Sequence, residues 1–326
     1  MTNLDLSLLH VDPRCETTTF GGRVLQFVSH KSDDSISRFI PEVIADDGYA
    51  ASRMERLYAP FIVDIGANLG SFSILAHVMN PTATIISLEP NPMTYLFFRW
   101  NLILNCVPFV DDFSSADGAR NRGVMPILAA ATIDGRSVSV EYNVYKSENA
   151  ITSASSENGI LPKYSLNSPG EFTRKTIVSF SVNKFLDRNK VGHITFLKLD
   201  CEGCEYEVFP PLTPFLSRET YFAGELHPCK NGHSCAYSKE AINKVKQDIC
   251  SSFESCCVDP TSFGAVACGG MGARKSILGS GPHKLNLGNV VESFTSDTDG
   301  IFLPMSIFVV LLLGMLRFLY RRRKGI

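Results

Sequence analysis

Residues 63–71 read VDIGANLGS, and this stretch decides the fold. It joins a short apolar β-run at 59–65 (APFIVDI) to an apolar segment of helical length at 71–79. Gly66 and Gly70 permit a tight turn and a close approach of the backbone to a ligand. In an open α/β sheet, ligands bind at the carboxyl ends of the strands. The stretch therefore predicts a strand, a ligand-binding turn and a helix.

Strand and helix patterns alternate on both sides of this turn, which is typical of a doubly wound, mostly parallel α/β sheet. Strands are predicted at 83–88, 124–131, 176–182, 194–199 and 221–226, helices at 41–56 and 91–105, and a long Ser- and Asn-rich loop at 141–170.

A carboxylate follows the second strand. Glu89 lies nineteen residues beyond Gly70 in the segment LEPNP. A carboxylate there can accept hydrogen bonds from both hydroxyls of a ribose. Asn68 occupies the place where a dinucleotide fingerprint needs glycine, and no Gly-Lys-Ser/Thr follows for a Walker A loop. The pattern favours S-adenosylmethionine over NAD. The alternative is an ordinary strand–helix turn followed by a solvent-exposed glutamate, which would have the same sequence pattern.

Acidic residues follow another strand in the run FLKLDCEGCE, residues 196–205. By the same topological rule, Asp200 and Glu202 should face the cofactor crevice, and Lys198 needs a carboxylate partner if it is buried. Methyl transfer needs an aligned acceptor atom and a nearby base. Asp200, Glu202 and His227 are the predicted catalytic residues. The alternative is that these carboxylates only cap helices or bind the cofactor.

These motifs together resemble the FkbM family of S-adenosylmethionine-dependent methyltransferases. VDIGANLGSFSIL, LEPNP, LKLDCEGCEYEVF and GELHP are similar to family motifs and occur in the family's order within 61–228. The resemblance implies a Rossmann-like class I methyltransferase fold with a seven-stranded sheet, and methylation of a hydroxyl oxygen. It implies cofactor contacts from Asp64, Gly66, Asn68, Gly70, Glu89 and Asn91. Cys201 and Cys204 depart from the family pattern, as does the run VNKFL at 182–186.

Composition limits the other function classes. The chain has 326 residues, with 31 Lys and Arg against 33 Asp and Glu, for a formal net charge of −2. A nucleic-acid binder would need a basic surplus, so no nucleic-acid partner is predicted. Apolar residues make up 44% of the chain, which excludes wholesale disorder.

The C-terminal segment 301–320 (IFLPMSIFVVLLLGMLRFLY) predicts one transmembrane helix, since twenty residues span about 30 Å as a helix. The alternative is a buried helix of a soluble domain. The N-terminus shows no signal-peptide pattern, which favours a domain facing the cytosol, whereas the basic residues after the span argue for the opposite orientation. The predicted organisation is an N-terminal extension with a helix (1–58), a methyltransferase domain (59–270), a linker (271–300), the membrane span (301–320) and a basic tail (321–326).

Eight of the ten cysteines lie between Cys201 and Cys268, and Cys201 and Cys204 form a C-x-x-C pair. Free thiols, disulfides and a metal site all remain open for this cluster, and no metal ligand is predicted. The sequence thus predicts a membrane-anchored O-methyltransferase acting on a small-molecule, glycan or lipid acceptor. Its alternatives are a catalytically inactive, membrane-tethered binding module and, less favoured, a NAD-dependent oxidoreductase.

Overall fold

A parallel β-sheet with helices on both faces organises the protein. The computed structural model describes residues 13–34, 36–110, 122–143, 145, 147, 151–153, 172–227, 238–253 and 265–268. The strands are β1 (Pro13–Phe20), β2 (Arg23–His30), β3 (Phe61–Ile65), β4 (Thr84–Glu89), β5 (Gly123–Leu128), β6 (Ala130–Ala131), β7 (Ser137–Asn143), β8 (Ile151–Ser153), β9 (Phe172–Phe180), β10 (Phe196–Leu199), β11 (Tyr221–Glu225) and β12 (Ala265–Cys268). The helices are α1 (Ile36–Ile40), α2 (Ser71–Met79), α3 (Pro92–Leu104), α4 (Val182–Arg188), α5 (Glu205–Leu212) and α6 (Lys239–Ser252).

The central sheet has the strand order β12-β11-β10-β3-β4-β5. Every neighbouring pair is parallel except β11 and β12, which are antiparallel. The chain moves outward through β4 and β5 on one side of β3 and through β10 and β11 on the other, so β3 and β10 flank the topological switch point. Ile65 pairs with Leu199 and with Leu88 at the carboxyl end. The segments that follow β3, β4 and β10 therefore meet at one edge.

Side-chain alternation along the strands builds one apolar core on each face of the sheet. In β3, Ile62 belongs to the core that includes α2 and α3, whereas Val63 and Ile65 belong to the core that includes α4, α5 and α6. This follows from the two-residue period of a strand, which points successive side chains to opposite faces. The doubly wound α/β arrangement predicted from the sequence is therefore correct.

The N-terminal hairpin formed by β1 and β2 is attached to α3 by two asparagines. The Asn101 amide accepts from the Val28 N–H (2.7 Å) and donates to the Val28 carbonyl (3.2 Å). One turn later, the Asn105 amide makes the same pair of bonds with Gln26, at 2.9 and 2.7 Å. Two side chains four residues apart on a helix thus satisfy the free backbone edge of a strand.

The central sheet has six strands among the described residues, and the seventh strand that the family resemblance implies stays a prediction. Two strands predicted from the sequence, at 124–131 and 176–182, do not each form one strand of the central sheet. The first divides into β5, in the central sheet, and β6, and the second forms part of β9. β6 and β9 join β7 and β8 in a separate sheet of order β6-β9-β7-β8. Within the predicted loop 141–170, residues 141–143 and 151–153 are strand, and the remainder lies largely outside the described residues.

The predicted helix at 41–56 is also wrong as a single element. A π-helical turn, Pro41–Ala45, continues α1, and a 3-10 helix covers Ala51–Arg56. Between them Asp47 (φ +51°) and Ala50 (φ +54°) adopt left-handed backbone conformations, which interrupt a right-handed helix. The segment between the two helices, residues 46–50, forms a bend and a turn, and Tyr49 lies within it.

The predicted membrane span, 301–320, lies outside the described residues. Among the residues that the structure describes, no helix is long and apolar enough to cross a membrane. The proposed domain limits remain predictions.

Candidate active site

The turn after β3 approaches the neighbouring strands too closely for a side chain. The amides of Gly66 and Ala67 both donate to the Leu88 carbonyl, at 3.0 and 2.8 Å. Gly66 has φ +84°, and a Cβ atom placed on it would lie 1.7 Å from the backbone oxygen of Asp200. At Gly70 (φ +82°) a Cβ would lie 2.1 Å from the Phe98 ring. Only glycine fits either position, so the tight turn predicted from the sequence has a steric basis.

Glu89 occupies the end of β4 beside this turn. Its side chain accepts hydrogen bonds from the Asn68 amide (2.9 Å) and the Asn91 amide (2.8 Å), one at each carboxylate oxygen. Glu89 is 4% exposed. Burial raises the pKa of Glu89 to about 7, although the two amide hydrogen bonds favour the anion. Each oxygen keeps a lone pair for a further donor, as a ribose diol requires.

Two of the predicted cofactor residues lie beneath the site and do not line it. Asp64 is fully buried, accepts a 2.6 Å hydrogen bond from the Ser73 hydroxyl and lies 3.4 Å from the Lys198 Nζ. Asn91 is also fully buried, and its Oδ1 accepts from the Met93 amide (3.0 Å) at the start of α3. The structure thus places Asp64 and Asn91 as supports of the turn and of α3. Their direct contact with a cofactor stays a prediction.

A cavity of about 490 Å³ opens at the carboxyl edge of the sheet. Its lining includes Gly66, Asn68 and Glu89 from the first half of the sheet, and Asp200 and Glu202 from the second half. Residues of the bent N-terminal segment complete the wall, namely Arg38, Phe39, Glu42, Val43 and Tyr49. The structure therefore brings three predicted cofactor residues near two predicted catalytic residues, and Gly70 lies behind the turn. The volume suits a small-molecule ligand.

Lys198 is the buried cation beneath the cavity. It is 3% exposed, and its Nζ donates to the Gly66 carbonyl and lies 3.8 Å from the Asp200 Oδ2. Together with Asp64, these contacts supply the carboxylate partners that the sequence predicted for a buried lysine. The Nζ also lies 5.1 Å from the centre of the Tyr49 ring, within range of a cation–π contact.

Tyr49 covers this cation and binds the same carboxylate. Its hydroxyl donates a 2.6 Å hydrogen bond to the Asp200 Oδ2. Burial, reinforced by the adjacent Asp200 charge, raises the pKa of the Tyr49 phenol well above its usual range. The phenol therefore remains protonated and acts as a donor. Asp200 is thus held from below by Lys198 and from the N-terminal segment by Tyr49.

His227 lies among four carboxylates. Its Nδ1 is 2.9 Å from the fully buried Glu205, and its Nε2 is 3.4 Å from Glu225, 3.6 Å from Glu202 and 3.7 Å from Asp200. Burial by itself lowers the pKa of His227, but hydrogen bonds to Glu205 and Glu225 and the surrounding negative charge raise it to about 11. The side chain is therefore an imidazolium at neutral pH. Its positive charge partly offsets that of the four carboxylates, and it has no free lone pair for proton abstraction.

The loop from Asp200 to Glu205 is closed by a disulfide between Cys201 and Cys204. Within it, Glu202 (φ +56°) and Gly203 (φ +114°) have left-handed backbones. The Glu205 carboxylate accepts from the Cys201 amide (3.0 Å) and the Gly203 amide (2.9 Å). Of the alternatives left open by the sequence, the disulfide is the one present for these two cysteines. Cys15, Cys106 and Cys250 are free and exposed.

Sequence reasoning missed three residues of the site: Tyr49, Glu205 and Glu225. Tyr49 falls inside a segment that was interpreted as a helix, where nothing distinguishes it. Glu225 ends β11, which neighbours β10, so the rule that placed Asp200 at the carboxyl edge also applies to Glu225. Glu205 is visible in the acidic run, but its burial depends on the fold.

Parts of this chain are similar in sequence to known methyltransferases. Methyltransferase sdnD of Sordaria araneosa is 28% identical over 157 residues, which is 46% of this chain and 59% of that protein. The 31-O-demethyl-FK506 methyltransferase FkbM of Streptomyces tacrolimicus is 28% identical over 76 residues, covering 23% of this chain and 29% of that protein. The chain thus matches less than two thirds of the length of either relative.

Among solved structures, the precorrin-6y C5,15-methyltransferase of Geobacter metallireducens aligns with 75% of this chain and 94% of its own, at 13% identity and a TM-score of 0.36.

The family comparison covers most of the site. The methyltransferase FkbM domain model matches residues 64–228, just over half of the 326 residues, from within β3 to the residue after His227. The match confirms the resemblance seen in the sequence, and the parallel sheet agrees with the class I methyltransferase fold. The cavity beside Gly66 and Glu89 fits the cofactor of this family, because a side chain is excluded at the turn and a carboxylate is placed for a diol. The chain belongs to the methyltransferase FkbM domain family, and its cofactor is S-adenosylmethionine.

Proposed function

We propose that this protein transfers a methyl group from S-adenosylmethionine to a hydroxyl oxygen of a small-molecule, glycan or lipid acceptor. The observation that carries the proposal is a single cavity of about 490 Å³ lined by Glu89 on one side and by Asp200 and Glu202 on the other. When bound, the cofactor supplies an electrophilic methyl group on its sulfonium. Glu89 and the glycine turn bind and orient it, and the acidic side of the cavity holds the acceptor.

Asp200 is the proposed general base. Its side chain is 21% exposed, whereas that of Glu202 is 48% exposed and therefore more strongly screened by solvent. Lys198 and Tyr49 fix the Oδ2 of Asp200. The Oδ1 is directed toward His227, 3.7 Å away, and is the atom proposed to take the acceptor's hydroxyl proton. The protonated His227 partly offsets the charge of the neighbouring carboxylates and positions them.

The test compares matched amide variants of the two acids. The full-length protein is given S-adenosylmethionine and a panel of hydroxylated acceptors, and formation of S-adenosylhomocysteine is measured. We expect Asp200→Asn to lower kcat at least about 100-fold with unchanged cofactor binding, and Glu202→Gln to lower it less than about tenfold. Equal losses would refute the assignment of Asp200. Cofactor binding with no turnover on any acceptor would favour a binding module.

We also propose that residues 301–320 anchor the protein in a membrane, with the enzyme domain on the cytosolic side. The support is the sequence alone: a predominantly apolar segment of twenty residues that ends at Tyr320 and carries one charge, at Arg317, followed by three arginines and a lysine. Extraction of membranes with alkaline carbonate tests the anchor, and digestion of intact membranes by an added protease tests the orientation. A protein released by carbonate, or a domain protected from protease, would contradict the respective part.

A further inference from the structure

The C-x-x-C disulfide lies in the wall of the active-site cavity. Cys201 and Cys204 both line it, together with Asp200 and Glu202. Cys201 is partly exposed, whereas Cys204 is 1% exposed and packs in the core that includes α5. Cys201 is therefore the more exposed of the two residues to a small molecule in the cavity, and Cys204 is the more buried.

The disulfide closes the same turn that carries Glu202. Glu202 and Gly203, the two residues between the cysteines, have positive φ angles of 56° and 114°. A non-glycine residue rarely adopts such a backbone, so the turn requires external constraints. Two are present: the covalent link between its ends, and the hydrogen bonds from the Cys201 and Gly203 amides to the buried Glu205.

Glu205 connects this turn to the rest of the site. Its Oε1 lies 2.9 Å from the Nδ1 of His227, whose Nε2 lies 3.6 Å from the Glu202 carboxylate. The turn, Glu205 and His227 thus form one closed set of contacts. By contrast, Glu89 is bonded to the amides of Asn68 and Asn91, outside this set. A change in the disulfide should therefore affect the acceptor side of the cavity and leave the cofactor side intact.

We propose that Cys201 and Cys204 form a reversible thiol–disulfide exchange site that takes a low-molecular-weight thiol through the cavity and thereby controls the turn that carries Glu202. A small thiol fits better than a protein dithiol because the more exposed cysteine, Cys201, lies in a cavity wall.

In the proposed exchange, the small thiol is the reductant of the Cys201–Cys204 disulfide. A thiolate attacks the Cys201 Sγ, a new S–S bond forms, and the Cys201–Cys204 bond breaks with Cys204 leaving as a thiolate. A second thiol then attacks the mixed disulfide and releases Cys201. Two thiols are oxidised to one small disulfide, the protein gains two electrons, and both cysteines take up the protons that the thiols lose.

The first test follows the thiols of the full-length protein in glutathione buffers of defined ratio, by alkylation and mass spectrometry of the 201–204 peptide. We expect a reversible two-electron transition. Cys204→Ser should trap glutathione on Cys201 at least about tenfold more than Cys201→Ser traps it on Cys204, because Cys204 is shielded. Cys250→Ser, which alters an exposed free cysteine, is the matched control and should leave the transition unchanged.

Two results would overturn the exchange site: both cysteines remaining thiols in the most oxidising buffer, or equal trapping by the two single variants. Reduction by thioredoxin but not by glutathione would overturn the choice of a small thiol.

The second test measures how the disulfide affects the turn at Glu202 and Gly203, without an assay of methyl transfer. Hydrogen exchange of the Gly203 amide should accelerate at least about tenfold on reduction, since one of its two constraints is lost. The dissociation constant for S-adenosylmethionine should change less than about twofold. An unchanged Gly203 exchange rate would refute control of the turn. The expected effect on methyl transfer rests on the proposed function, whereas the labelling and exchange measurements do not, so the two can fail separately.

Discussion

Glu89 makes the affinity for S-adenosylmethionine depend on pH. The pKa of this buried carboxyl group in the free protein is about 7. Ribose hydroxyls donate hydrogen bonds to the anion, so the bound cofactor favours the ionised form. Binding should therefore weaken as pH falls through about 7, because the proton must first be removed.

The size of the effect follows from linkage. For one group with a pKa of about 7, the apparent dissociation constant rises by about 25-fold between pH 7.5 and pH 5.5, equivalent to about 2 kcal/mol. At pH 7 about half a proton should leave the protein for each cofactor bound. Isothermal titration calorimetry at several pH values, in buffers of different ionisation enthalpy, measures both quantities.

Variants of two cavity carboxylates separate Glu89 from other titrating groups. Glu89→Gln should bind more weakly, because both carboxylate oxygens accept backbone amides, and its affinity should no longer vary with pH. Glu202→Gln, on the other side of the cavity, should keep the wild-type pH profile. A wild-type affinity that is constant over this range, or an equal slope in Glu89→Gln, would refute the reasoning.

Three further substitutions test the fold and the site. Gly66→Ala should lower the free energy of unfolding by at least about 3 kcal/mol in urea titrations, because the new Cβ meets the Asp200 carbonyl, whereas Gly192→Ala has open space and should change it by less than about 1 kcal/mol. Asn101→Ala should cost about 3 kcal/mol in the same assay, since it leaves the Val28 N–H and carbonyl without their partner. Tyr49→Phe removes the hydrogen bond to Asp200 and should lower kcat about tenfold, with cofactor affinity unchanged by calorimetry. A wild-type kcat in this variant would exclude a positioning role for the tyrosine.

The sequence was most informative where a residue type with a specific chemical role directly follows a predicted strand. Glycines between an apolar strand and a helix, followed by a carboxylate after the next strand, need only local rules to be interpreted. The same rules placed Asp200 and Glu202 at the shared edge, where the structure has them. They do not distinguish residues that line a cavity from residues that support it. Asp64, one residue before the end of β3, is buried against Ser73 and Lys198.

Other features depend on contacts that are distant along the chain. Tyr49 and Asp200 are 151 residues apart, and only the complete fold brings them together. Two residues with left-handed backbones interrupt the helix predicted for 41–56. Tertiary packing determines such an interruption, and helix propensity does not reveal it. The strand predicted at 176–182 lies outside the central sheet, because alternation identifies a strand but not the sheet that it joins, and β9 pairs with β7.

The attachment of the hairpin to α3 bears on where a fragment of this protein can be cut. The family match starts at residue 64, yet Leu25 and Phe27 of β2 are fully buried in the core shared with α2 and α3. A recombinant fragment limited to 64–228 would expose that apolar surface and leave Asn101 and Asn105 facing solvent, which favours aggregation. Recombinant fragments should therefore retain the hairpin and begin before Pro13. The limits of the family match and those of the folding unit therefore differ in this protein.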